Sequence, residues 1–305
     1  MGGLKQYIIP ILNRLPYIRT LNKLLKQYEA VTAYPAGHYY SPVPNVEEIQ
    51  QNKERIFSKR NPEEIFLNED NQIAVFHRLI PYYKEFPYKI FRIEKYRYSI
   101  PDSFFTYTDA VILYSMIRDA KPAKIVEVGS GYSSALIMDV NQYFFEGKQQ
   151  LVFIDPDFSR LEKLMKPGDD QKCTMIKKKI QEVDLSYFLY LSENDLLFID
   201  SSHVSKTGSD LHYLLFEILP QLNKGVIIHF HDVYYPFEYP SKLVLEEKLA
   251  WNEIYLVRAF LMYNPVFEIV YFNNYLFEKH PELLKLEMPE CLQDEGASLY
   301  IRKIK

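Results

Sequence analysis

Apolar residues in the second part of the chain fall into short, almost unbroken runs. Four of these runs occupy residues 124–128, 151–154, 195–199 and 225–230. Runs of this length without polar alternation are typical of strands covered on both faces, as in a parallel sheet. Between them, apolar residues recur at helical spacing over 133–142, 158–166 and 207–221. This alternation of strand and helix predicts a doubly wound α/β fold.

Two further apolar runs follow, over residues 266–272 and 297–302, and a helix is predicted over 105–119. The stretch between the two last runs looks rich in loops and leaves no room for an obvious crossover helix. A parallel neighbour would need such a crossover. The last strand is therefore expected to turn back antiparallel.

The first hundred residues have a different pattern. Apolar residues recur at helical spacing over residues 1–29, interrupted by Pro10 and Pro16, among five basic residues: Lys5, Arg14, Arg19, Lys23 and Lys26. This segment is either a membrane-surface helix or an amphipathic packing or dimerisation helix. Residues 37–44 read as extended, and 45–100 as helices separated by prolines and dense in Tyr and Phe. We therefore predict a helical, aromatic-rich cap over 1–100, a second domain over 101–305 and a homodimer.

Composition narrows the function class. The 305 residues are 48% hydrophobic and 25% charged with a net charge of -4, which excludes a mainly disordered or fibrous chain and gives no reason to expect nucleic acid as a partner. No apolar run approaches the ~18 residues of a membrane-spanning helix, and no secretory signal is recognisable. Cys173 and Cys291 show neither a disulfide framework nor zinc spacing, so we expect reduced thiols in a cytoplasmic protein.

Acidic residues stand at or beside the ends of four apolar runs: Glu127, Asp155, Asp200 and Asp232. Ligands of open α/β sheets bind beyond the carboxyl ends of the strands, so these acids should gather at one edge. At ~7 Å and an effective dielectric of ~20, each pair would repel by about 2 kcal/mol. A cationic ligand or a metal would offset that repulsion. For any single acid, capping of a turn or helix is an equally good explanation.

A glycine-containing loop leaves the first strand and opens a helix. Its sequence, residues 127–134, reads Glu-Val-Gly-Ser-Gly-Tyr-Ser-Ser, in a chain with only 10 glycines. Glycines there let a ligand approach the backbone, and Asp155 after the next strand could hold ribose hydroxyls. A nicotinamide dinucleotide site has the same beginning. Ser134 in place of the third glycine, and the charge of Glu127 beside a pyrophosphate, disfavour that alternative.

These residues resemble those of class I S-adenosylmethionine-dependent methyltransferases, particularly the bacterial small-molecule O-methyltransferase-like group. The matching segments are residues 125–134, 153–157, 180–183, 198–203, 229–232 and 298–302, within a likeness that spans about 101–305, and residues 38–44 also look like a segment of that group. The resemblance implies a Rossmann-like seven-stranded sheet with an antiparallel last strand. It also implies S-adenosylmethionine as cofactor, whose ammonium and sulfonium suit an acidic edge.

The same resemblance implies roles for particular residues. Glu127 and the 129–131 backbone would hold the methionine part, Asp155 the ribose, and Gln181 or Glu182 the adenine edge. The expected cofactor-binding residues are Glu127, Gly129, Ser130, Gly131, Tyr132, Ser133, Asp155, Gln181 and Glu182. Two catalytic schemes stay open. His203, beside Asp200, could act as general base, or Asp200, His231 and Asp232 could hold a divalent metal.

The resulting hypothesis is O-methylation of a hydroxyl on a small polar metabolite, such as a sugar or glycoside. Placement of the reactants is worth roughly 10⁵–10⁸ M and a general base only about 10²–10⁴-fold, so most of the rate can come from the pocket. Two alternatives remain. One is a NAD-dependent oxidoreductase, and the other is a non-catalytic nucleoside-binding subunit of an assembly.

Overall fold

The computed structural model describes residue 12 and residues 15–29, 32–88 and 92–305. Within it the chain forms two compact units. Unit 1 contains Met1–Ser58 and Ser241–Ala250, and unit 2 contains Lys59–Pro240 and Trp251–Lys305. Residues 59–100, which the sequence grouped with the cap, therefore cluster with the sheet. A functional division at residue 100 stays a prediction, and the predictions for Lys5, Pro10 and Arg14 lie outside the described residues.

One seven-stranded sheet organises unit 2. The strands are β1 (Lys124–Val128), β2 (Gln150–Ile154), β3 (Thr174–Ile176), β4 (Leu196–Ile199), β5 (Ile227–Phe230), β6 (Phe267–Phe272) and β7 (Leu299–Lys303). Their order is β3-β2-β1-β4-β5-β7-β6. Strands β1 to β5 are mutually parallel, whereas β7 pairs antiparallel with both β5 and β6. The predicted fold class, including the antiparallel last strand, is confirmed.

Helices cover the sheet and also occur in unit 1. They are α1 (Pro16–Glu29), α2 (Val46–Gln51), α3 (Lys53–Ile56), α4 (Glu69–Lys84), α5 (Tyr107–Ala120), α6 (Tyr132–Phe144), α7 (Ser159–Glu162), α8 (Ser186–Leu189), α9 (Asp210–His212), α10 (Ser241–Leu245), α11 (Glu253–Leu261), α12 (Asn273–Lys279) and α13 (Pro281–Glu287). A π-helix (Tyr213–Ile218) continues α9. Short 3₁₀ turns occupy Ile100–Asp102, Asp169–Gln171, Ile180–Glu182, Leu219–Gln221 and Pro289–Leu292.

Two expectations about connections were wrong. The link between β6 and β7 is largely helical, because α12 and α13 lie in it. These helices are too short to show a clear apolar period, which is why the stretch read as loop. Pro81 also lies inside α4 instead of ending a helix.

The hydrogen-bond ladder of the sheet continues one residue beyond several strands. The Gly129 N–H donates to Ile154 O (3.0 Å), and the Asp200 N–H donates to Val128 O (2.8 Å). The His231 N–H likewise donates to Ile199 O (2.9 Å). These bonds fix the residues that follow β1, β4 and β5 at one carboxyl edge of the sheet.

A buried ion cluster ties the segment before α5 to the rest of unit 2. The Arg97 guanidinium bonds Asp139 Oδ1 (2.8 Å) and Asp169 Oδ2 (2.7 Å), and all three side chains are almost fully buried. Burial pushes the pKa of Asp169 upward, but hydrogen bonds from Arg97 and the Lys166 N–H bring it below its usual range. The sequence analysis did not single out this cluster.

Unit 1 carries the amphipathic segment of the sequence as α1. Its apolar residues Leu21, Leu24 and Leu25 are exposed, so the choice between a membrane surface and a packing partner stays open. Asn45 caps α2 by accepting from the backbone of Glu47 and Glu48. Within the described residues, no helix combines the length and apolar content that crossing a bilayer requires.

Candidate active site

The loop after β1 packs tightly against Asp200, the residue that follows β4, and this packing requires glycine at position 129. Gly129 has a φ of +83°, and a Cβ there would lie 1.9 Å from Asp200 O. Gly131 is extended and lies under the Arg160 side chain, whose Cδ would be 2.8 Å from a Cβ. Glycine at these two positions therefore allows the loop to pack closely against Asp200 and Arg160.

Glu127 lies behind this loop and is fully buried. Its carboxyl accepts from Ser133 Oγ (2.6 Å) and from Ser134 Oγ, while Ser134 Oγ accepts from the Gly131 N–H (2.9 Å). Burial raises the pKa of Glu127 to about 8, although the two serine bonds act in the opposite direction. In the structure Glu127 thus braces the start of α6. The expected contacts of Glu127 and Ser133 with the cofactor stay predictions.

Asp155, after β2, links two loops at the same edge. Its Oδ2 accepts from the Ser130 N–H (2.8 Å) and its Oδ1 from the Asp157 N–H (2.7 Å). These bonds fix a half-buried carboxylate beside the glycine loop. Ser130 Oγ is buried and has no hydrogen-bond partner among the described residues. Tyr132 is half-buried, with the Phe104 ring edge-on at 6.0 Å.

Gln181 and Glu182 form a 3₁₀ turn after β3, the neighbour of β2 at this edge. Gln181 Nε2 donates to Gly208 O (2.7 Å), so its amide is engaged with another loop. Glu182 is exposed. The structure places both residues at the predicted edge but gives no contact between them and Asp155.

Asp200, His203 and Asp232 converge beyond β4 and β5. His203 Nε2 lies 3.2 Å from Asp200 Oδ1 and 3.5 Å from Asp232 Oδ2. Potential metal-ligand atoms of the three residues all lie within 4.8 Å of one another. His203 and Asp232 both have a φ of +57°. Strained backbone of this kind is common at functional sites, where the surrounding structure enforces it.

Glu253 fixes His203 from behind. Its Oε2 lies 2.7 Å from His203 Nδ1, and the acid is 2% exposed. The Asn252 and Glu253 N–H groups also donate to His203 O, at 2.9 and 3.2 Å. The start of α11 therefore holds both the backbone and the ring of His203. Sequence analysis missed Glu253, because no local pattern connects it with a residue 50 positions earlier.

The electrostatics of the cluster follow from these contacts. Burial alone would lower the pKa of His203, but hydrogen bonds with Asp200 and Glu253 raise that pKa to about 11. Burial pushes the pKa of Asp200 upward, and its bond with His203 outweighs this and holds it below the ordinary value. Without a metal, His203 is therefore a cation at neutral pH, and a base role would first require loss of that proton.

His231, the histidine of the expected metal set, is not among the residues whose ligand atoms converge. Burial pushes its pKa down, but the charges of Asp232 and Asp200 raise it above the ordinary value, so it lies within electrostatic reach of both acids. Its ring lies against Phe105 (5.2 Å between centroids), and its Nδ1 is buried without a partner among the described residues. The imidazole nitrogen that lies beside the two acids belongs to His203, and a metal-binding role of His231 stays a prediction. His229 is buried and stacks on Phe198 with ring centroids 3.9 Å apart, as expected for a structural histidine.

Part of the expected charge compensation comes from the chain itself. The side chains of His203, His231 and Arg160 all lower the pKa of Asp200. Arg160 also lies 6.0 Å from the Tyr132 ring centroid, so it reaches over the glycine loop. Sequence analysis did not identify Arg160, because a single basic residue on a short helix gives no signal.

Comparison with known proteins decides the family. Residues 126–233 match the model of a family described as a methyltransferase domain. A protein of Archaeoglobus fulgidus, described as uncharacterized, is 33% identical over 172 residues, which cover 53% of this chain and 75% of that protein. The chain belongs to the class I S-adenosylmethionine-dependent methyltransferases.

Solved methyltransferase structures show a more distant likeness. The SAH-bound methyltransferase PaMTH1 of Podospora anserina is 16% identical, with a TM-score of 0.42 over 85% of this chain and 95% of that one. The O-methyltransferase TomG of Streptomyces achromogenes is 12% identical, with a TM-score of 0.38 over 85% and 96%. Similarity this low carries no information about individual residues.

For this methyltransferase, S-adenosylmethionine is the cofactor, and the nicotinamide and non-catalytic alternatives lose their support. The residues of the sheet edge fit the cofactor. Asp155 is fixed beside the glycine loop by the Ser130 N–H, and Ser130 Oγ is buried without a hydrogen-bond partner among the described residues. An acidic edge also suits a ligand that carries an ammonium and a sulfonium.

Proposed function

We infer that this methyltransferase methylates a hydroxyl of a small polar metabolite, such as a sugar or glycoside, with the help of a divalent cation. The observation that carries the inference is the convergence of Asp200, His203 and Asp232 at the sheet edge. Glu253 behind His203 strengthens it. Both features lie at the edge where the cofactor residues are expected.

The spacing of the cluster fits a metal. Ligand bonds of ~2.1 Å at angles between 90° and 109° separate ligand atoms by roughly 3.0–3.4 Å. The Nε2–Oδ distances of 3.2 and 3.5 Å are close to that range. Ligating histidines usually donate their other ring N–H to a carboxylate, which is the position of Glu253.

The donor set also narrows the choice of metal. Carboxylates suit Mg²⁺ and Mn²⁺, whereas imidazole suits Zn²⁺ and Fe²⁺ better than Mg²⁺. Two carboxylates and one imidazole therefore favour Mn²⁺, Fe²⁺ or Zn²⁺. The proposed ligands are Asp200, His203 and Asp232, and His231 is not among them.

S-adenosylmethionine supplies a methyl group on a positively charged sulfur, and a divalent cation would lower the pKa of an acceptor hydroxyl. The chain supplies placement. The backbone around Gly129 and the carboxylate of Asp155 would hold the cofactor, while Asp200 and Asp232 would orient the acceptor. Because the pKa of Asp200 is held low, its carboxylate is a good hydrogen-bond acceptor but a weak base. Positioning is then the main contribution of the protein.

Aromatic groups around the cluster suit a sugar-like acceptor. The Trp251 ring lies 4.4 Å from the His203 ring, and Tyr239 lies 6.0 Å from Trp251. Tyr234 adds a hydroxyl 3.3 Å from Asp232 Oδ1. Flat rings beside hydroxyl and carboxylate groups can bind both the apolar face and the hydroxyls of a sugar ring.

Transfer of a labelled methyl group tests this function. The chelator-treated protein would be incubated with labelled S-adenosylmethionine and a panel of sugars and glycosides, without metal or with Mn²⁺, Zn²⁺ or Mg²⁺. We expect metal-dependent labelling of oxygen, abolished by Asp232→Asn and retained by Asp102→Asn, which changes an acid paired with Arg92. Labelling that is unchanged by the chelator and by Asp232→Asn would show that methyl transfer does not depend on a metal at this cluster. Label found only on nitrogen would refute O-methylation.

A cytoplasmic location, a homodimer and the absence of a nucleic-acid partner belong to the same proposal. The composition, with a net charge of -4 and two cysteines without a disulfide pattern, supports the first and third points. Exposed leucines on α1 support the second. Sedimentation of the full chain would test the homodimer.

A further inference from the structure

Unit 2 contains an open cavity of about 800 Å³ that no step of methyl transfer uses. We name it the Asn61 groove and define it by six of its lining residues: Asn61, Phe66, Glu69, Tyr235, Tyr263 and His280. Neighbouring residues of one loop separate it from the candidate active site. The Tyr234 hydroxyl contacts Asp232, whereas the Tyr235 hydroxyl donates to Asn61 Oδ1 (2.7 Å).

Two aromatic rings of the groove are displayed to solvent. Phe66 is 81% exposed and Tyr263 is 82% exposed, unlike the many buried rings of unit 2. The Tyr263 N–H donates to Glu64 O at 3.4 Å, and the Glu64 carboxylate binds the Arg258 guanidinium at 2.5 Å, so the Tyr263 backbone is held beside the groove. Exposed rings beside a cavity indicate a binding surface.

The charges of the groove exclude a polyanionic ligand. Its lining includes the acids Glu63, Glu64 and Glu69 and the basic side chains Lys279 and His280. Two of the acids are engaged, Glu64 with Arg258 and Glu69 with His280 at 2.8 Å. The groove therefore offers neither a basic patch for phosphates nor a strong field for a multivalent cation.

Its free hydrogen-bonding capacity is that of an uncharged polar site. Asn61 Oδ1 accepts from Tyr235 and, at 3.5 Å, from Lys279 Nζ. No partner for the Asn61 NH₂ occurs among the described residues, so that group is available to an acceptor such as a hydroxyl oxygen.

We propose that the Asn61 groove binds a neutral carbohydrate chain. The faces of aromatic rings are electron-rich and attract the C–H-bearing faces of sugar rings, while Asn61 bonds hydroxyls. This site is separate from the acceptor position beside Asp232. The proposal therefore does not depend on whether the methyl acceptor is a sugar. A peptide is the competing occupant, and the test distinguishes the two.

The test measures binding of neutral oligosaccharides to the full chain without S-adenosylmethionine or metal. Maltohexaose, cellohexaose, mannohexaose and chitohexaose would be titrated by saturation-transfer NMR and calorimetry, with oxidised insulin B chain as the peptide arm. We expect at least one saccharide to bind and the peptide to fail. Each of Phe66→Ala and Tyr263→Ala should weaken that binding by up to about tenfold, because both rings are exposed and neither supports the core.

Two control variants complete the experiment. Phe216→Ala removes a 61% exposed ring elsewhere and should leave the affinity unchanged. Asp232→Asn should also leave it unchanged, and a loss there would place the saccharide in the candidate active site. The proposal is overturned by that loss, by a panel in which no saccharide binds, by binding that survives the Phe66→Ala/Tyr263→Ala double variant, or by binding of the peptide alone.

Discussion

Glu253 Oε2 lies 2.7 Å from His203 Nδ1, so a buried carboxylate sets which ring nitrogen of His203 faces Asp200 and Asp232. Glu253→Gln keeps the size of the side chain but removes its charge. We expect affinity for Mn²⁺ to fall by about 10–100-fold, as for other partners that orient a ligating histidine. Calorimetric titration of the chelator-treated protein would measure this change.

Glu146→Gln is the matched control for that substitution. Glu146 is exposed, and its only recorded side-chain partner among the described residues is Lys148, so metal affinity should not change. An equal affinity in Glu253→Gln and the wild type would show that Glu253 does not support a metal ligand.

Gly129→Ala should destabilise the protein for two reasons that a second variant separates. Gly168 has almost the same φ (+82°) as Gly129 (+83°), but a Cβ at Gly168 would meet nothing within 4 Å. Gly168→Ala therefore isolates the backbone strain, about 1–2 kcal/mol. Gly129→Ala adds the clash with Asp200 O, and we expect at least about 2 kcal/mol more. Urea unfolding measures both, and equal losses would argue against close packing of the loop on β4.

Arg97→Met leaves the carboxylates of Asp139 and Asp169 buried without their cation. Loss of one partner from a buried ion cluster typically costs about 3–5 kcal/mol. Arg78→Met breaks an exposed pair with Asp119 and should cost at most about 1 kcal/mol. Comparison of the two unfolding free energies tests whether the Arg97 cluster stabilises unit 2. Similar values for both variants would contradict this role.

Glu127 should make stability depend on pH. Its pKa is about 8 in the fold against 4.5 ordinarily, so its stabilising contribution is complete below pH 4.5 and is lost as the pH rises through about 8. Glu127→Gln does not titrate. The unfolding free energy of this variant minus that of the wild type should increase from pH 5 to 8 and then level off. Parallel stability curves for the two proteins would place the pKa of Glu127 near its ordinary value.

The sheet was predictable because its signal is local. Each apolar run needs only its own residues to indicate a strand, and all six runs named from the pattern became β1, β2, β4, β5, β6 and β7. The chain between β6 and β7 was not predictable. Its helices have about two turns each and pack by tertiary contact, so no amphipathic period marks them.

The site was predictable only where one residue follows one strand. Asp200 follows β4 directly and Asp232 follows β5 after one residue, so the neighbouring positions of the two strands bring the two acids together. The choice between His203 and His231 depends on left-handed backbone at His203 and Asp232, which no local pattern reveals. Glu253 lies at the start of α11, 50 residues after His203, and contacts the His203 ring. This contact could not be predicted from the sequence, because it depends on how α11 packs in the folded protein.

β7 inserts between β5 and β6, although it follows both in the chain. The partner of β5 on this side is therefore synthesised about 70 residues after β5 itself. At 5–20 residues per second, that delay is roughly 4–14 s. The Val233 N–H, next to Asp232, finds its acceptor only when Ala297 arrives. Without β7, β5 is an edge strand and β6 has no neighbour in the sheet, so the last strand to be synthesised completes both the sheet and the edge that carries Asp232.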